Sequence, residues 1–268
     1  MKKLVLSFVL LLFVVNINTL KAQNEENTGH SAEKLAKQLA NPVASLISVP
    51  LQNNFDFNLG AFNGFRYNVN LQPVIPISIN EKWNLISRTI LPFISQNDVT
   101  AIGTNQTGLG DTTQSIFFSP KEVKNGMVWG TGVVLTIPTA TNNLGSKKWG
   151  AGPNLLILKL QGQWTYGALA NHIWSYAGSG TNDISNTFFQ PFLTYANKSG
   201  ASFTIASENT QSWDSDTFSG FAGVYFSKVL KFGKQMMQLG GGPKIYYGNN
   251  PLNPEWGIRA NIILLFPK

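Results

Sequence analysis

Apolar and polar residues alternate along most of this chain, in stretches of about ten residues joined by turns rich in Gly, Asn and Thr. The alternation is clearest in residues 75–79 (IPISI) and 258–266 (IRANIILLF). A strand that is apolar on one face and amide-rich on the other suits a barrel wall, with lipid outside and water inside. The sequence therefore predicts an all-β fold, a transmembrane antiparallel β-barrel of about 12 strands with a short N-terminal helical segment. The predicted strands are residues 53–59, 66–79, 83–95, 109–119, 128–139, 149–160, 164–176, 185–195, 202–210, 218–229, 236–247 and 256–266.

Residues 1–22 have the features of a secretory signal peptide. Lys2 and Lys3 precede an apolar run at residues 4–15, and Ala22 provides a small residue before the expected cleavage site. The run is too short to span a bilayer comfortably, and no other stretch approaches the roughly 20 apolar residues of a membrane helix. We therefore expect export across the inner membrane, and we expect strands to make any membrane crossing.

Composition narrows the choice of partners. The formal charge of +7 includes Lys2, Lys3 and Lys21, and removal of the signal peptide leaves +4. Without a run of basic residues or a basic helix, this charge does not indicate nucleic acid as a partner. Charged residues make up 12% of the chain, about half the usual quarter for soluble domains. The chain has no cysteine, which excludes disulfides and a lipid-modified N-terminal Cys.

Residues 23–52 form a separate N-terminal segment in this interpretation. A polar stretch is followed by a helix signal with Ser31 as N-cap and Leu35 and Leu39 four residues apart. A second short helix is expected after it, with Asn41 as its cap. Its apolar face comprises Val43, Leu46 and Ile47. The segment is expected either to plug the lumen or to brace the periplasmic mouth of the barrel, which occupies residues 53–268.

The predicted connections between strands alternate in length, as in outer-membrane barrels with short periplasmic turns and longer outer loops. The short connections are 80–82, 161–163, 197–200 and 231–234, and the long ones include 96–108, 140–148, 211–217 and 248–255. The connection at residues 120–126 is an exception, because it is long on the side where short periplasmic turns are expected. The tryptophans lie near predicted strand ends, where an aromatic girdle would place them. Pro73, Pro76 and Pro191 lie within predicted strands, where we expect bulges or kinks.

Seven motifs in order resemble a family of Gram-negative outer-membrane proteins, grouped as transporters of the meta-pathway of phenol degradation. They are residues 41–55 (NPVASLISVPLQNNF), 72–76 (QPVIP), 88–92 (RTILP), 108–111 (GLGD), 137–141 (IPTAT), 190–192 (QPF) and 264–268 (LLFPK). The resemblance covers most of the mature chain. It implies a monomeric or weakly oligomeric outer-membrane barrel for transport, with hydrophobic or aromatic solutes as the expected cargo. Many such barrels end on an aromatic residue, and here Phe266 is the expected signal for the assembly machinery.

Strand parity assigns side chains to the lumen. With Ile258, Ala260 and Ile262 facing lipid, Arg259 faces inward, because successive side chains of a strand alternate between faces. The residues assigned to the lumen in this way are Arg66, Asn70, Arg88, Asp111, Gln190, Glu208, Lys244 and Arg259. One interpretation makes them a solute-selecting constriction that slightly favours anions. The other makes them a salt-bridge network that rigidifies a filled barrel, and the strand number does not decide between the two.

Catalysis is the rival from another functional class, since outer-membrane phospholipases share this size and use a Ser/His dyad. His172 lies in a predicted strand with Asn171 and Ser175 nearby, but strand parity puts both of them on the face opposite to His172. No His, Cys or carboxylate residues have metal-ligand spacing, and no Gly-rich stretch precedes a helix. We therefore expect no enzyme activity, no metal and no cofactor.

The sequence thus favours an outer-membrane channel for passive passage of small solutes. Its expected partners are outer-membrane lipid, the assembly machinery through the C-terminal strand, and the solutes. A structural barrel with a filled lumen is the main alternative, and a phospholipase-like hydrolase is third. At the level of fold, the rival is a soluble secreted β-sandwich, whose apolar faces would pack against each other.

Overall fold

The period-two alternation forms β-strands along nearly the whole chain. The computed structural model describes residues 25–266, in which one α-helix precedes a sheet of 14 segments. The elements are α1 (Glu25–Leu39), β1 (Ile47–Leu59), β2 (Gly64–Leu71), β3 (Val74–Ser78), β4 (Trp83–Asn97), β5 (Asn105–Leu109), β6 (Thr112–Pro120), β7 (Met127–Ile137), β8 (Lys148–Gln161), β9 (Trp164–Gly178), β10 (Ser185–Ala196), β11 (Ala201–Ser212), β12 (Thr217–Phe232), β13 (Gln235–Gly248) and β14 (Trp256–Phe266).

The segments form one closed antiparallel sheet. β14 pairs with β1 from Ile47↔Phe266 to Phe57↔Trp256, which joins the last strand to the first. β2 and β3 are two halves of one barrel strand that both pair with β4, and β5 and β6 form a second divided strand. Within the described residues the barrel therefore has 12 strands, which confirms the predicted fold class and strand number. A β-sandwich is excluded because the sheet closes on itself around a polar interior.

The two ends of the barrel differ. β1 begins and β14 ends at the same end as α1, which we call the helix end; the opposite end is the loop end. Connections at the helix end are residues 79–82, 121–126, 162–163, 197–200 and 233–234. Connections at the loop end are residues 60–63, 98–104, 138–147, 179–184, 213–216 and 249–255. Gly162 and Gly233 begin the two-residue turns with φ of 63° and 58°, which the twist of a tight hairpin requires.

The outer face is apolar and the inner face is largely polar. Ile77, Leu155 and Phe226 point outward and are 51%, 50% and 65% exposed. Buried polar residues such as Thr165 and Thr194 point inward on neighbouring strands. The tryptophans lie near the strand ends: Trp83, Trp129 and Trp164 at the helix end, and Trp149, Trp174, Trp213 and Trp256 at the loop end. This distribution is typical of a barrel with an aromatic girdle at each rim.

The prolines interrupt the sheet less than the sequence predicts. Pro73 lies in the gap that separates β2 from β3, as expected. Pro76 and Pro191 lie within β3 and β10, and the described pairing with the adjacent strands has no register shift at either residue. β1 reaches β3 only at Ser48↔Val74, so few hydrogen bonds depend on that edge of β3. Pro191 pairs with Ala168 of β9, but the pairing of β10 with β11 is interrupted at Gln190 and Pro191, where the missing N–H of the proline costs no ladder bond. A bulge occurs instead around Asn58 of β1, whose φ is 57°.

The N-terminal segment lies inside the barrel at the helix end. Leu35 and Ala36 of α1 are buried in a cluster with Val229 and Leu265 from the barrel wall. A Cβ on Gly200 would lie 2.8 Å from the Cβ of Ala32, so the glycine allows the helix to approach the turn after β10. Because α1 contacts β10, β11 and β12, its C-terminal half covers one side of the barrel mouth.

Residues 40–46 then cross to the other side of the barrel. Val43 is 4% exposed and packs in a second cluster with the buried side chains of Ile86, Phe117 and Leu156. Asn84 Nδ2 donates a hydrogen bond of 2.9 Å to Ser45 Oγ. We call residues 32–46 the inner segment, because their side chains fill the helix end of the barrel.

Four details of the N-terminal expectation change. The helix begins at Glu25, so Ser31 lies within α1 rather than at its N-cap. Residues 40–46 form turns rather than a second helix: the Asn41 side chain accepts a hydrogen bond from Val43 N, and Ala44 N bonds to Asn41 O. Leu46 is buried in the inner segment, but Ile47 begins β1 opposite Phe266 and therefore belongs to the barrel wall. The barrel begins at Ile47 rather than at residue 53, since pairing with β14 extends β1. The predicted signal peptide, residues 1–22, lies outside the described residues.

Among residues 25–266, no helix is long and apolar enough to cross a membrane.

Candidate functional site

A buried ion pair joins two strands beside the seam where the barrel closes. Lys244 Nζ of β13 lies 2.8 Å from Asp56 Oδ1 of β1, and both side chains are almost fully buried. Tyr246 connects them further, because it accepts a hydrogen bond from Lys244 Nζ at 2.7 Å and donates one to Asp56 Oδ1 at 2.9 Å. A Cβ on Gly257 of the intervening β14 would lie 2.5 Å from Asp56 Oδ1. The missing side chain of Gly257 therefore provides the space for this pair.

A second ion pair extends the network across the interior. Arg259 Nη1 of β14 lies 2.7 Å from Glu208 Oε1 of β11, and Arg259 is 6% exposed. Asn54 links the two pairs, because its Oδ1 accepts hydrogen bonds from Arg259 Nε at 2.8 Å and from Lys244 Nζ at 3.1 Å. Both cations also lie 4.9 Å from the ring centroid of Phe221, within cation–π distance. Burial of these charges is therefore compensated by ion-pair, hydrogen-bond and cation–π partners.

Arg88 and Arg66 have amide partners instead of carboxylates. Arg88 Nη2 of β4 donates to Gln72 Oε1 at 3.0 Å, and Arg66 Nε of β2 donates to Gln96 Oε1 at 2.8 Å. Both arginines are half-buried, and among the described residues neither has a carboxylate within 4.0 Å. Asn70 and Gln72 both donate to Gln52 Oε1, which continues the amide chain beside Arg88.

The interior contains one chamber towards the loop end and two smaller ones next to the inner segment. We call the chamber towards the loop end the upper chamber; its volume is about 330 Å³. The two lower chambers, next to the inner segment, have volumes of about 230 and 160 Å³. Gln190 lines all of them, while Arg88 and Gln72 line both the upper chamber and the smallest one. These three side chains therefore lie where the chambers adjoin.

The inner segment closes the lower chambers from the helix end. Ala36, Leu39, Ala40 and Pro42 line the 230 Å³ chamber on that side, opposite Arg259 and its neighbours in the barrel wall. Three buried polar atoms that line this chamber have no hydrogen-bond partner among the protein atoms of the described residues: Ser202 Oγ, Tyr225 OH and Asn261 Oδ1. Such groups are usually satisfied by ordered water, so the lower chamber has the chemistry of a wet compartment.

The structure brings most of the sequence-assigned lumen residues together. Arg88, Gln190, Glu208 and Asn70 line the upper chamber, Arg259 lines the chamber below, and Lys244 lies within the ion-pair network. Arg66 lies nearer the loop end beside Gln96.

Asp111 is separate from this cluster. Its carboxylate accepts hydrogen bonds from Ala140 N, Ser146 N and Ser146 Oγ, which anchor the long loop after β7. The expectation that Asp111 joins the lumen cations is therefore corrected: the residue lies in the gap between β5 and β6, within reach of that loop.

Asp56 is the residue that sequence reasoning missed. It lies between the outward-facing Phe55 and Phe57, so the parity rule that assigned Arg259 also places Asp56 inward. Its omission left Lys244 without a specific partner in the prediction.

His172 lies on the outer face of β9, near the loop end. Its Nδ1 is 2.7 Å from Thr187 Oγ1 and its Nε2 is 3.4 Å from Ser185 Oγ, while its ring lies 4.0 Å from that of Trp174. Trp213 Nε1 donates to the same Thr187 hydroxyl, so a hydroxyl and an indole stand where a hydrolase needs a carboxylate or amide. Among the described residues, no group of His, Cys, Asp and Glu could hold a metal ion.

Comparison with solved structures gives a similar fold. An outer-membrane channel from Pseudomonas putida F1 matches with a TM-score of 0.65 and 17% identity, over 83% of this chain and 96% of that chain. The β-domain of the Bordetella autotransporter BrkA matches with a TM-score of 0.45 and 13% identity, over 82% and 97% of the two chains. The monoaromatic hydrocarbon channel CymD has a TM-score of 0.42 and 8% identity, over 93% and 95%.

The last two structures overlay too loosely to support an argument about this chain. No protein-family model and no curated protein sequence matches it. The comparison therefore establishes the outer-membrane barrel fold, and membership of the phenol-degradation family stays a prediction.

Proposed function

We propose that this protein is an outer-membrane channel through which small solutes pass passively. One observation carries the proposal: a closed barrel that is apolar outside encloses a polar chamber of about 330 Å³. A polar interior behind an apolar wall suits a water-filled path through lipid. The similar fold of an outer-membrane channel from Pseudomonas putida F1 adds support for the compartment.

The strand lengths suit an outer membrane. A strand of 11 residues such as β14 rises roughly 36 Å along its axis, and a tilt of about 40° leaves roughly 28 Å across the membrane. This is close to the apolar band of about 25 Å in outer-membrane barrels. The helix end, with its short turns, is periplasmic in this proposal, and the inner segment then acts as a plug at the periplasmic mouth.

The charged and polar side chains of the lumen are proposed to select solutes. In the described cluster, the cations Arg66, Arg88, Lys244 and Arg259 face the carboxylates Asp56 and Glu208, so positive charge exceeds negative by two. A positive ring in a narrow pore favours anions over cations. Asn70 and Gln190 line the same chamber and supply neutral hydrogen-bonding groups.

The resemblance to the phenol-degradation family adds hydrophobic or aromatic solutes as candidate cargo. It also leads us to propose that the assembly machinery recognises the C-terminal strand through Phe266, which is 42% exposed on the outer face. Outer-membrane lipid then contacts the apolar belt.

A structural barrel with a filled lumen is the second candidate, and it is supported by the inner segment and by the two buried ion pairs. A hydrolase has less support, because the Ser185 and His172 pair has no carboxylate bonded to it among the described residues. The predicted absence of enzyme activity remains to be tested.

The test is passage itself. The mature chain is refolded into detergent, its folding is verified by heat-modifiable gel mobility, and it is reconstituted into liposomes and planar bilayers. A channel produces discrete conductance steps in KCl and swelling of the liposomes in small neutral solutes. A folded and inserted protein that gives neither result would refute the channel and favour the structural barrel.

A further inference from the structure

We propose that Arg88 forms a binding site for small organic carboxylates with a flat apolar body, inside the upper chamber. The inference rests on the proposed channel function and names its substrate class. It is drawn from three features of the chamber: an arginine without a direct ion pair, amide groups beside it, and apolar side chains in the same lining.

Arg88 differs from Lys244 and Arg259 in the chemistry of its partner. Lys244 and Arg259 each have a carboxylate within 2.8 Å, whereas the described partner of Arg88 is the neutral amide of Gln72. A guanidinium has five N–H donors, and the bond to Gln72 occupies one of them. A half-buried cation without a direct ion pair is stabilised when an anion binds it, and the guanidinium fork matches a carboxylate in bidentate geometry.

Glu208 also lines the chamber and attracts Arg88 from beyond 4.0 Å, but its direct ion pair is with Arg259. Its Oε1 accepts from Arg259 Nη1 at 2.7 Å and from Gln190 Nε2 at 3.5 Å. Arg88 therefore retains its attraction for an incoming anion. Asn70, whose amide donates to Gln52, lines the chamber on the same side and adds a polar group near the arginine.

Apolar side chains complete the chamber. Ile90, Leu169, Ile173 and Phe188 line it together with the polar groups. The volume of 330 Å³ lies near the lower limit of the roughly 300–1,000 Å³ of typical ligand sites, which favours a ligand the size of one ring. An anionic head near Arg88 and a flat body against this wall satisfy both parts of the lining.

Benzoate is the probe, and two matched compounds distinguish the contribution of its ring from that of its carboxylate. Benzyl alcohol keeps the ring without the charge, and acetate keeps the carboxylate without the ring. Each is titrated against the refolded mature chain in detergent by isothermal calorimetry. We expect benzoate to bind more tightly than either. Equal binding of benzyl alcohol or of acetate would overturn the proposal, because the site would then recognise only the ring or only the charge.

The variant Arg88→Gln tests the residue. Loss of a charge-assisted hydrogen bond worth about 1.5–3 kcal/mol weakens binding roughly 10- to 150-fold. Arg88→Lys keeps the charge without the fork, and an intermediate loss is expected. Lys82→Gln is the control, since it removes one positive charge from an exposed turn at the helix end, outside the upper chamber. Equal losses in Lys82→Gln and Arg88→Gln would contradict a specific site.

Conductance in KCl, measured on the same preparations, separates the two proposals. A protein that conducts but does not bind benzoate overturns the carboxylate site and leaves the channel intact. A protein that binds benzoate through Arg88 but conducts nothing overturns the channel and leaves the site.

Discussion

The substitution Leu155→Arg places a charge in the middle of the outer face. Leu155 lies at the centre of β8 (Lys148–Gln161), its side chain is 50% exposed, and its neighbours in the sheet are Thr131 and Ala170. In a barrel that spans a membrane, this position faces lipid near the bilayer midplane. Arginine costs about 2–4 kcal/mol at such a position and about 0–1 kcal/mol near the interfaces.

The matched control for Leu155→Arg is a substitution at the same depth in the barrel wall but on the inner face. Asn171 of β9 pairs with Asn154, the neighbour of Leu155, and it lines the upper chamber. Asn171→Arg therefore adds the same charge to a polar interior, and we expect a small change in stability. Tyr176→Arg, near the loop end of β9, tests depth, and we expect it to cost much less than Leu155→Arg.

Urea titration of the proteins folded in phosphatidylcholine vesicles, followed by tryptophan fluorescence, measures these differences. A cost of about 2–4 kcal/mol lowers the folding equilibrium constant of Leu155→Arg roughly 30- to 700-fold. Heat-modifiable mobility verifies that each variant starts from the folded state. If Leu155→Arg is as stable as Asn171→Arg, the assignment of the outer face to lipid is wrong.

Three further predictions concern charged groups. Lys244→Met leaves the Asp56 carboxylate buried without its cation, and we expect urea titration to show a loss of about 3–5 kcal/mol in the free energy of unfolding. The double variant with Asp56→Leu should recover this stability, and no recovery would argue against the pair. Arg88→Glu should shift the reversal potential in a KCl gradient towards cation selectivity, and an unchanged potential would favour a filled lumen. At the loop end, the hydrogen bond and charge of Lys148 lower the pKa of Asp183 below its ordinary 3.8. This contact therefore stabilises the loop after β9 above pH 3.8 and is lost as the pH falls through the lowered value; hydrogen exchange in that loop should rise there, and the same rise in Asp183→Asn would contradict this cause.

Strand parity explains why so much of this fold is readable from the sequence. In a barrel wall, one face meets lipid and the other water, so Arg259 between Ile258 and Ala260 has only one possible orientation. The same rule reaches Asp56 between Phe55 and Phe57, although that residue was missed. A lumen assignment within a paired strand is therefore local information, available from two flanking residues, whereas Asp111 lies between two strand segments and escapes the rule.

Partnerships across the barrel are not local. Arg259 and Glu208 lie 51 positions apart, and the register of β11 to β14 decides that they meet. The conformation of the inner segment is difficult to predict from the sequence for a related reason. Asn41 and Pro42 are as suitable for a turn as for a helix start, and contacts of Val43 with the barrel interior favour the turn. Whether a short segment with helix-start residues forms a helix or a turn depends on its tertiary packing.

The most direct test compares the single-channel conductance of the mature chain with that of a variant lacking residues 23–46. Removal of these residues takes away α1 and the turns that close the lower chambers, while β1 from Ile47 onward keeps the barrel closed. We predict discrete channels in both proteins, with severalfold higher conductance in the variant. Equal conductance would show that the segment does not obstruct the path. If neither folded, inserted protein conducts, the barrel is filled and the proposed channel is wrong.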